Sequence, residues 1–562
     1  MTISGKTGGP WGDRPVKELC DTGGGCNNGE NCDNDECRSD DEICDKDKIC
    51  GDTYRRCIIP VTRPAPLPES ELIPLWREIL RSRRYTNFGP MYRRLQRRLE
   101  DYCGVPYVIP VSSSHQALQL SIEGLRLHEN HIWREVITSP FTFLSTTEAI
   151  LREGMITVFA DVDPTTGCLS QSSIEEHLTA YTAAILPIHV YGHICDNPPI
   201  EALAKQYHLP VIYDAAHAFG ETVACTQDMQ QLSAQTPQRL NTSSENPEAG
   251  HTYSPSVAAN QSEPQRESPA TESTMIESKS VMSLGTLSCC SFHATKVFTT
   301  GEGGAIFCKD PDLAKRIEAL TNFGIRDGAF TNLIGTNVKL DEFRSAIGLV
   351  SLAHFKETTH QRQQRYLRYC ENLAGLCGIY VFDPAIRFRG CNVQKVYERI
   401  DTHDECDDVG GNDVCNDDRR DVYGQSEDSS EHHYVARLNY GYMPMLITEE
   451  SNLTRDEVCD WLLANGIEAR KYFYPLTSEH SGVRRRIEDY RYDLYGFREP
   501  YDPTAETPNA FYLSRHILCL PLYADLPLDE VDRISSLIIH MYRKANTART
   551  YAGMAQLREG AL

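Results

Sequence analysis

At 562 residues, with 40% hydrophobic content, the chain exceeds one ordinary domain and holds enough apolar side chains for a substantial core. Its formal charge of −23 argues against nucleic acid as a main partner, and most of that charge is confined to residues 1–57, 222–280 and 400–431, which carry −5, −4 and −10. No apolar run approaches the ~18–20 residues that span a bilayer and no short apolar signal core opens the chain, so a cytoplasmic protein without membrane contact is expected.

Residues 1–57 come first and contain seven cysteines, Cys20, Cys26, Cys32, Cys37, Cys44, Cys50 and Cys57. Their spacing of five to seven residues matches no paired Cys-x-x-Cys zinc site. The expectation is an acidic disordered tail with no metal, in preference to a metal or disulfide knot. Cys289, Cys290, Cys308 and Cys519 lie instead in apolar runs, where a thiol behaves as a small hydrophobe.

From Ile58 to Gly220 short apolar runs alternate with helical patterns. "EVITSP", "ITVFAD", "AAILPIHV" and "PVIYD" read as buried strands, and "IEALAKQYH" as a helix. "SHQALQLSIEGL" reads as a second helix, with Ala117, Leu118, Ile122 and Leu125 on one face. Such alternation predicts an α/β domain with a largely parallel sheet.

Residues 222–280 are rich in Ser, Pro, Gln, Thr and Glu, too polar to offset their ordering entropy, and are expected to be a disordered insertion. The α/β pattern resumes at "LSCCSFHATK". A second acidic, aperiodic insertion is expected over residues 388–431, after which "YVARLNYGYMPMLI" again reads as strand. What remains divides into a large domain, 58–355, and a smaller C-terminal one, 356–562.

Chemistry concentrates at two strand ends. "VIYDAAHAFG" ends a strand in Asp214 with His217 three residues on, and ligands in open α/β sheets bind beyond such carboxyl ends. Lys296 follows another strand, just before the turn "GEGG", in a context unusual for a solvated surface charge. The helix start "SSSHQAL" offers free N–H groups and a dipole suited to phosphate. An amine, a carboxylate and an anion cradle are what pyridoxal 5'-phosphate requires: a Schiff base to the lysine, a partner for the ring nitrogen, and a seat for the phosphate.

Taken together, "YTNFGP", "PFTFLSTTEAI", "ILPIHVYGHICD", "VIYDAAHAFG", "SFHATKVFTTGEGGAI", "NYGYMPML" and "ARKYFYPL" resemble the DegT/DnrJ/EryC1/StrS family of nucleotide-sugar aminotransferases, in the family's order. "SFHATKVF" and "ARKYFYPL" look most like the branch acting on dTDP-4-keto-6-deoxyglucose, as in dTDP-4-amino-4,6-dideoxyglucose (viosamine-type) synthesis for surface polysaccharides. The resemblance implies a PLP-dependent aminotransferase of fold type I, with a mostly parallel central sheet and a smaller C-terminal α+β domain. It implies Lys296 as Schiff-base lysine and proton carrier, Asp214 as partner of the ring nitrogen, His217 near the ring hydroxyl, Phe143 stacked on the ring, and Ser291 on the phosphate. Asn337 would reach the neighbouring subunit's site, which implies a homodimer with shared sites. Thr86, Asn87 and Tyr472 would meet the sugar, and L-glutamate would donate the amine. Where many members have Gly-Thr at the phosphate-binding helix start, this chain has Ser114 and His115, which leaves backbone N–H groups but no threonine hydroxyl. Two other readings are a PLP-dependent sugar dehydratase, whose relatives carry histidine at the lysine position, and a non-catalytic scaffold on the same fold.

Overall fold

The structure is a computed structural model that describes residues 58–127, 134–224, 278–382, 435–437, 439–496 and 500–559. The tail 1–57, the interior of the first expected insertion and the whole of the second lie outside the described residues. Within the described part, helices α1 (Glu69–Ser82), α2 (Pro90–Cys103), α3 (Ser114–Gly124), α4 (Leu144–Arg152), α5 (Gln171–Glu176) and α6 (Asn197–Gln206) alternate with strands. Those strands are β1 (Tyr107–Val111), β2 (Glu135–Thr138), β3 (Ile156–Phe159), β4 (Thr182–Ile185) and β5 (Ile212–Asp214).

Local sequence explains the boundaries. In α2, Pro90 occupies the first turn, where its missing N–H costs nothing, and Gly104 closes the helix at φ 61. Between them Met91, Tyr92, Leu95, Leu99 and Cys103 recur at helical spacing and are buried. Each large apolar side chain so buried contributes roughly 1.5–3 kcal/mol.

The central sheet is completed by β8 (Leu287–Ser291) and β9 (Gly304–Cys308), which follow β6 (Thr222–Ala224) and β7 (Ser278–Ser280) in the chain. Ladders run β1-β9-β8-β5 and β3-β2-β4, and parallel bridges Ile185↔Val211 and Ile188↔Asp214 join β4 to β5. The result is seven strands in which β9 alone runs antiparallel to its neighbours. Every residue of β4, β5, β8 and β9 is buried, as expected for a sheet covered on both faces. Successive residues serve opposite layers: Ile212 packs with the core under α3, Tyr213 with the core under α2.

Three readings from sequence need correction. Helix α3 is buried on more than its expected face, Leu120 and Ser121 included, because it is packed between the sheet, α4 and α7 (Pro311–Leu320). The ends of the first insertion are ordered: β6 and β7 pair with each other, and β6 pairs on its other edge with β13 (Val435–Arg437). "YVARLNYGYMPMLI" is two strands in different sheets, β13 and β14 (Pro444–Ile447), separated by a segment in which Tyr440 adopts φ 54.

After the hairpin β10 (Ile325–Arg326) and β11 (Ala329–Phe330), helices α8 (Glu342–Ala353) and α9 (Phe355–Leu373) lead to an antiparallel sheet. Its order is β12 (Ile379–Val381), β14, β15 (Ile517–Cys519). Tyr366 and Tyr369 of α9, Met445, Leu518, and Ile534 and Ile538 of the C-terminal helix Leu528–Glu559 share one core there.

Candidate active site

Asp214 ends β5 and Ser291 ends β8, and the two strands are parallel neighbours with Asp214 opposite Cys289. The Asp214 carboxylate is buried and accepts hydrogen bonds from Thr146 Oγ1 at 2.6 Å and from the Ala216 amide at 3.1 Å. Burial pushes this carboxyl above its ordinary value, while those two bonds and the charge of Lys296 pull it down.

Lys296 stands on a loop pinned at both ends. The amide of Phe292 donates to Gly303 O and that of Thr300 to Phe292 O, each at 2.9 Å, and Phe298 stacks on Phe219 with ring centres 4.4 Å apart. Its Nζ donates to the Tyr442 hydroxyl at 2.8 Å. Burial lowers the lysine to about 8, against the opposing influence of Asp214, Tyr472 and Cys290. The amine is therefore neutral in about a tenth of molecules at pH 7, far more often than an ordinary lysine, as a nucleophilic or basic lysine requires.

His217 is buried beside this pair. Its Nδ1 accepts from the Tyr191 amide at 3.1 Å, which places the ring proton on Nε2 when the histidine is neutral. Burial, reinforced by Lys296, holds it well below its ordinary value and so neutral. The ring lies parallel to Phe473 at 5.7 Å and 4.7 Å from Tyr442.

The anion cradle follows from one close approach. Gly304 faces Val111 of β1 on one side and Ser291 of β8 on the other. A Cβ at Gly304 would lie 2.6 Å from the Ser114 amide nitrogen and 2.8 Å from Cys290 O, so only glycine lets the start of α3 settle over these strand ends. Ser113 caps α3 by accepting from the Gln116 amide at 3.2 Å, and the preceding turn's amides have no intrahelical acceptor. Ser114 is the first helical residue, and His115 turns toward α4, with Nδ1 3.1 Å from Ser145 Oγ. Phe143 is the residue before α4, 61% exposed and one turn ahead of Thr146.

Asp214, His217, Ser291 and Lys296 are thus gathered in one place, and Tyr472 belongs with them: its ring is 6.0 Å from Tyr442 and its hydroxyl accepts from Arg470 at 2.7 Å. Thr86, Asn87 and Asn337 stand apart. The first two are exposed in a loop tied down by α8, where the Glu342 carboxylate accepts from the Met91 and Tyr92 amides and the Glu342 amide donates to Tyr85 O. Asn337 is exposed, its backbone bridged to Asn322 and its side chain accepting from Lys339 at 2.6 Å.

Sequence reasoning assigned no role to Thr146 or Tyr442, although both lie in motifs it singled out. Their parts depend on which strand end each faces, and neither spacing nor residue type carries that. Among the described residues no group of His, Cys, Asp and Glu is arranged to hold a metal ion.

The sequence pattern of the DegT/DnrJ/EryC1/StrS aminotransferase family matches residues 68–233 and 268–404. A dTDP-4-amino-4,6-dideoxy-D-glucose transaminase of Shigella dysenteriae is 29% identical over 478 residues, 85% of this chain and 97% of that protein. One of the same description from Escherichia coli is 29% identical over 86% of this chain and 98% of its own length. Among solved structures, DesI in the presence of its TDP-sugar product aligns with a TM-score of 0.61 at 24% identity, covering 89% of this chain and 96% of DesI. Spr1654 of Streptococcus pneumoniae, in its PMP form, aligns at 0.59 and 18%, covering 88% and 100%; both share the fold.

Proposed function

The chain belongs to the DegT/DnrJ/EryC1/StrS aminotransferase family, and from that premise we propose that it transfers the amino group of L-glutamate to the keto carbon of dTDP-4-keto-6-deoxyglucose. It is a PLP-dependent aminotransferase. The observation that carries the reading is the pairing of a buried carboxylate, Asp214, with a lysine whose burial lowers it to about 8, beside a helix start over the same strand ends.

The residues fit pyridoxal phosphate by their donor chemistry. A buried carboxylate is stable beside a cation, which suits Asp214 to a protonated ring nitrogen. The α3 amides with Ser291 suit a phosphate, Lys296 suits the aldehyde, and Phe143 offers an aromatic face. When bound, the cofactor supplies an electron sink that makes the proton on the amine-bearing carbon removable. Lys296 would take that proton and return one, and burial brings its change between ammonium and amine closer to neutral pH than for an ordinary lysine. His217, neutral and fixed by Tyr191, offers Nε2–H as a donor of constant charge. Thr146 and the Ala216 amide stabilise Asp214 as carboxylate.

The substrate class rests on the Shigella and Escherichia relatives. Thr86, Asn87 and Tyr472 are assigned to the sugar, and Asn337 to the phosphate site of a second copy in a homodimer. No described helix is long and apolar enough to cross a membrane, and we place the reaction in the cytoplasm. The test is amino transfer from L-glutamate across a panel of nucleotide keto-sugars, with the aminated carbon located by NMR. Amination at C4 of the dTDP sugar is expected. Turnover confined to another sugar would overturn the substrate, and absence of turnover with all of them would overturn the reading.

A further inference from the structure

Tyr442 is held more firmly than packing requires. Arg362 on α9 is 2% exposed and has no carboxylate within ion-pair distance among the described residues. Its Nε donates to Tyr440 O at 2.8 Å and its Nη2 to Gly441 O at 2.9 Å, and burial lowers even this guanidinium to about 10. Burying a cation is costly, and both of these bonds fall on the backbone immediately before Tyr442 and fix it. From the opposite side, the Asn439 side chain donates to His217 O at 2.8 Å and Phe219 O at 3.1 Å and accepts from the Gly441 amide at 2.8 Å. The segment is therefore clamped to the β5 end that carries Asp214 and His217. The Tyr442 ring is packed against His217, Tyr191 and Tyr472, and its hydroxyl is aimed at Lys296 Nζ, 2.8 Å away.

We propose that Tyr442 is the positioning residue of Lys296, its hydroxyl holding the amine on target in both of the lysine's protonation states. The inference rests on the assignment of Lys296 as the cofactor-bearing lysine. A phenol has one donor and two acceptor lone pairs, so it accepts from an ammonium and donates to a neutral amine without moving. Of the other groups facing the amine, Asp214 as carboxylate only accepts, His217 with Nδ1 committed to Tyr191 can only donate through Nε2, and the Cys290 thiol is directed at Ala215 O. The Tyr472 hydroxyl is also a phenol, but it is bonded to Arg470, whereas Tyr442 is bonded to Nζ itself. Burial also keeps the Tyr442 phenol protonated, so it stays a two-way partner across the working pH range.

The experiment compares wild type, Tyr442→Phe and Tyr442→His in two readouts: steady-state kcat and KM with L-glutamate, and the rate at which cofactor-stripped protein regains the absorbance of lysine-bound pyridoxal phosphate. Phenylalanine keeps the ring and its packing and removes only the hydroxyl. Tyr442→Phe is expected to lower kcat and the attachment rate each by about tenfold, with KM within about twofold. Tyr442→His, which can donate and accept, is expected to recover part of both. Wild-type values for Tyr442→Phe in both readouts would overturn the inference and leave the function standing, whereas wild-type protein that never acquires lysine-bound cofactor would overturn both.

Discussion

Two regions of the molecule are built on opposite terms. Around Lys296 each polar group has a partner in the same chain: Tyr442 for the amine, Thr146 and Ala216 for Asp214, Tyr191 for His217. Around the β10–β11 hairpin the chain leaves apolar side chains in the open, with Phe330 87% and Ile334 90% exposed, and the nearby Asn337 bonded only to its own neighbourhood. The first region is preorganised by one chain, as a site for charge and proton transfer needs to be. The second has the composition of a surface completed by something else, in keeping with the proposal of a shared site in a homodimer.

Substitutions should separate the two regions by size of effect. Lys296→Ala removes the amine from the closed region and is expected to lower turnover by a factor on the order of 10⁴ or more, with far-UV circular dichroism unchanged, because the residue sits on a loop beyond a strand end. Turnover near wild type would place the chemistry elsewhere. Asp214→Asn preserves shape and removes charge. Cofactor should still bind while turnover falls roughly a hundredfold, since an amide cannot keep a ring nitrogen protonated.

The open region responds to pairing instead. Combining a Lys296→Ala protomer with an Asn337→Ala protomer leaves one site with both lesions and one with neither, if Asn337 serves the opposite subunit. The hybrid dimer should then show about half of wild-type activity, and an unfractionated co-expression mixture about a quarter, where each parent homodimer shows far less. Activity no greater than the mean of the parents, with hybrids verified by mass, would assign Asn337 to its own chain or to no site.

The smallest expected effect lies back in the closed region. Thr146→Val deletes one hydrogen bond to a carboxylate and should cost about tenfold in turnover. That bond lowers the Asp214 pKa, so its loss raises it, and activity that depends on ionised Asp214 should fall away at a higher pH on the acid side. An unmoved acid limb in Thr146→Val would show that Asp214 does not govern it.

The sequence was most informative where burial imposes a period. The strands around "AAILPIHV" and "PVIYD", and the helix beginning at Ser114, were legible because a covered sheet demands unbroken apolar runs and a helix demands 3.6-residue recurrence. Asp214 and Lys296 were legible as strand-end residues and through the family likeness of their motifs. What stayed hidden were groups whose meaning is set by tertiary approach. Tyr440 and Tyr442 look equivalent in "NYGYMPML", yet Arg362, distant in sequence, fixes the backbone so that the second reaches Lys296 and the first meets Gln363. The short strands β6 and β7 were lost inside a polar stretch because their pairing joins residues about 55 apart, too far for a local pattern to register.

The most direct test of the central assignment is to reduce the holoenzyme with borohydride, digest it, and map the pyridoxyl group by mass spectrometry. The expected result is a single modified residue, Lys296, and no labelled peptide from Lys296→Ala. A pyridoxyl group on any other lysine of the wild-type protein, or none at all, would contradict it.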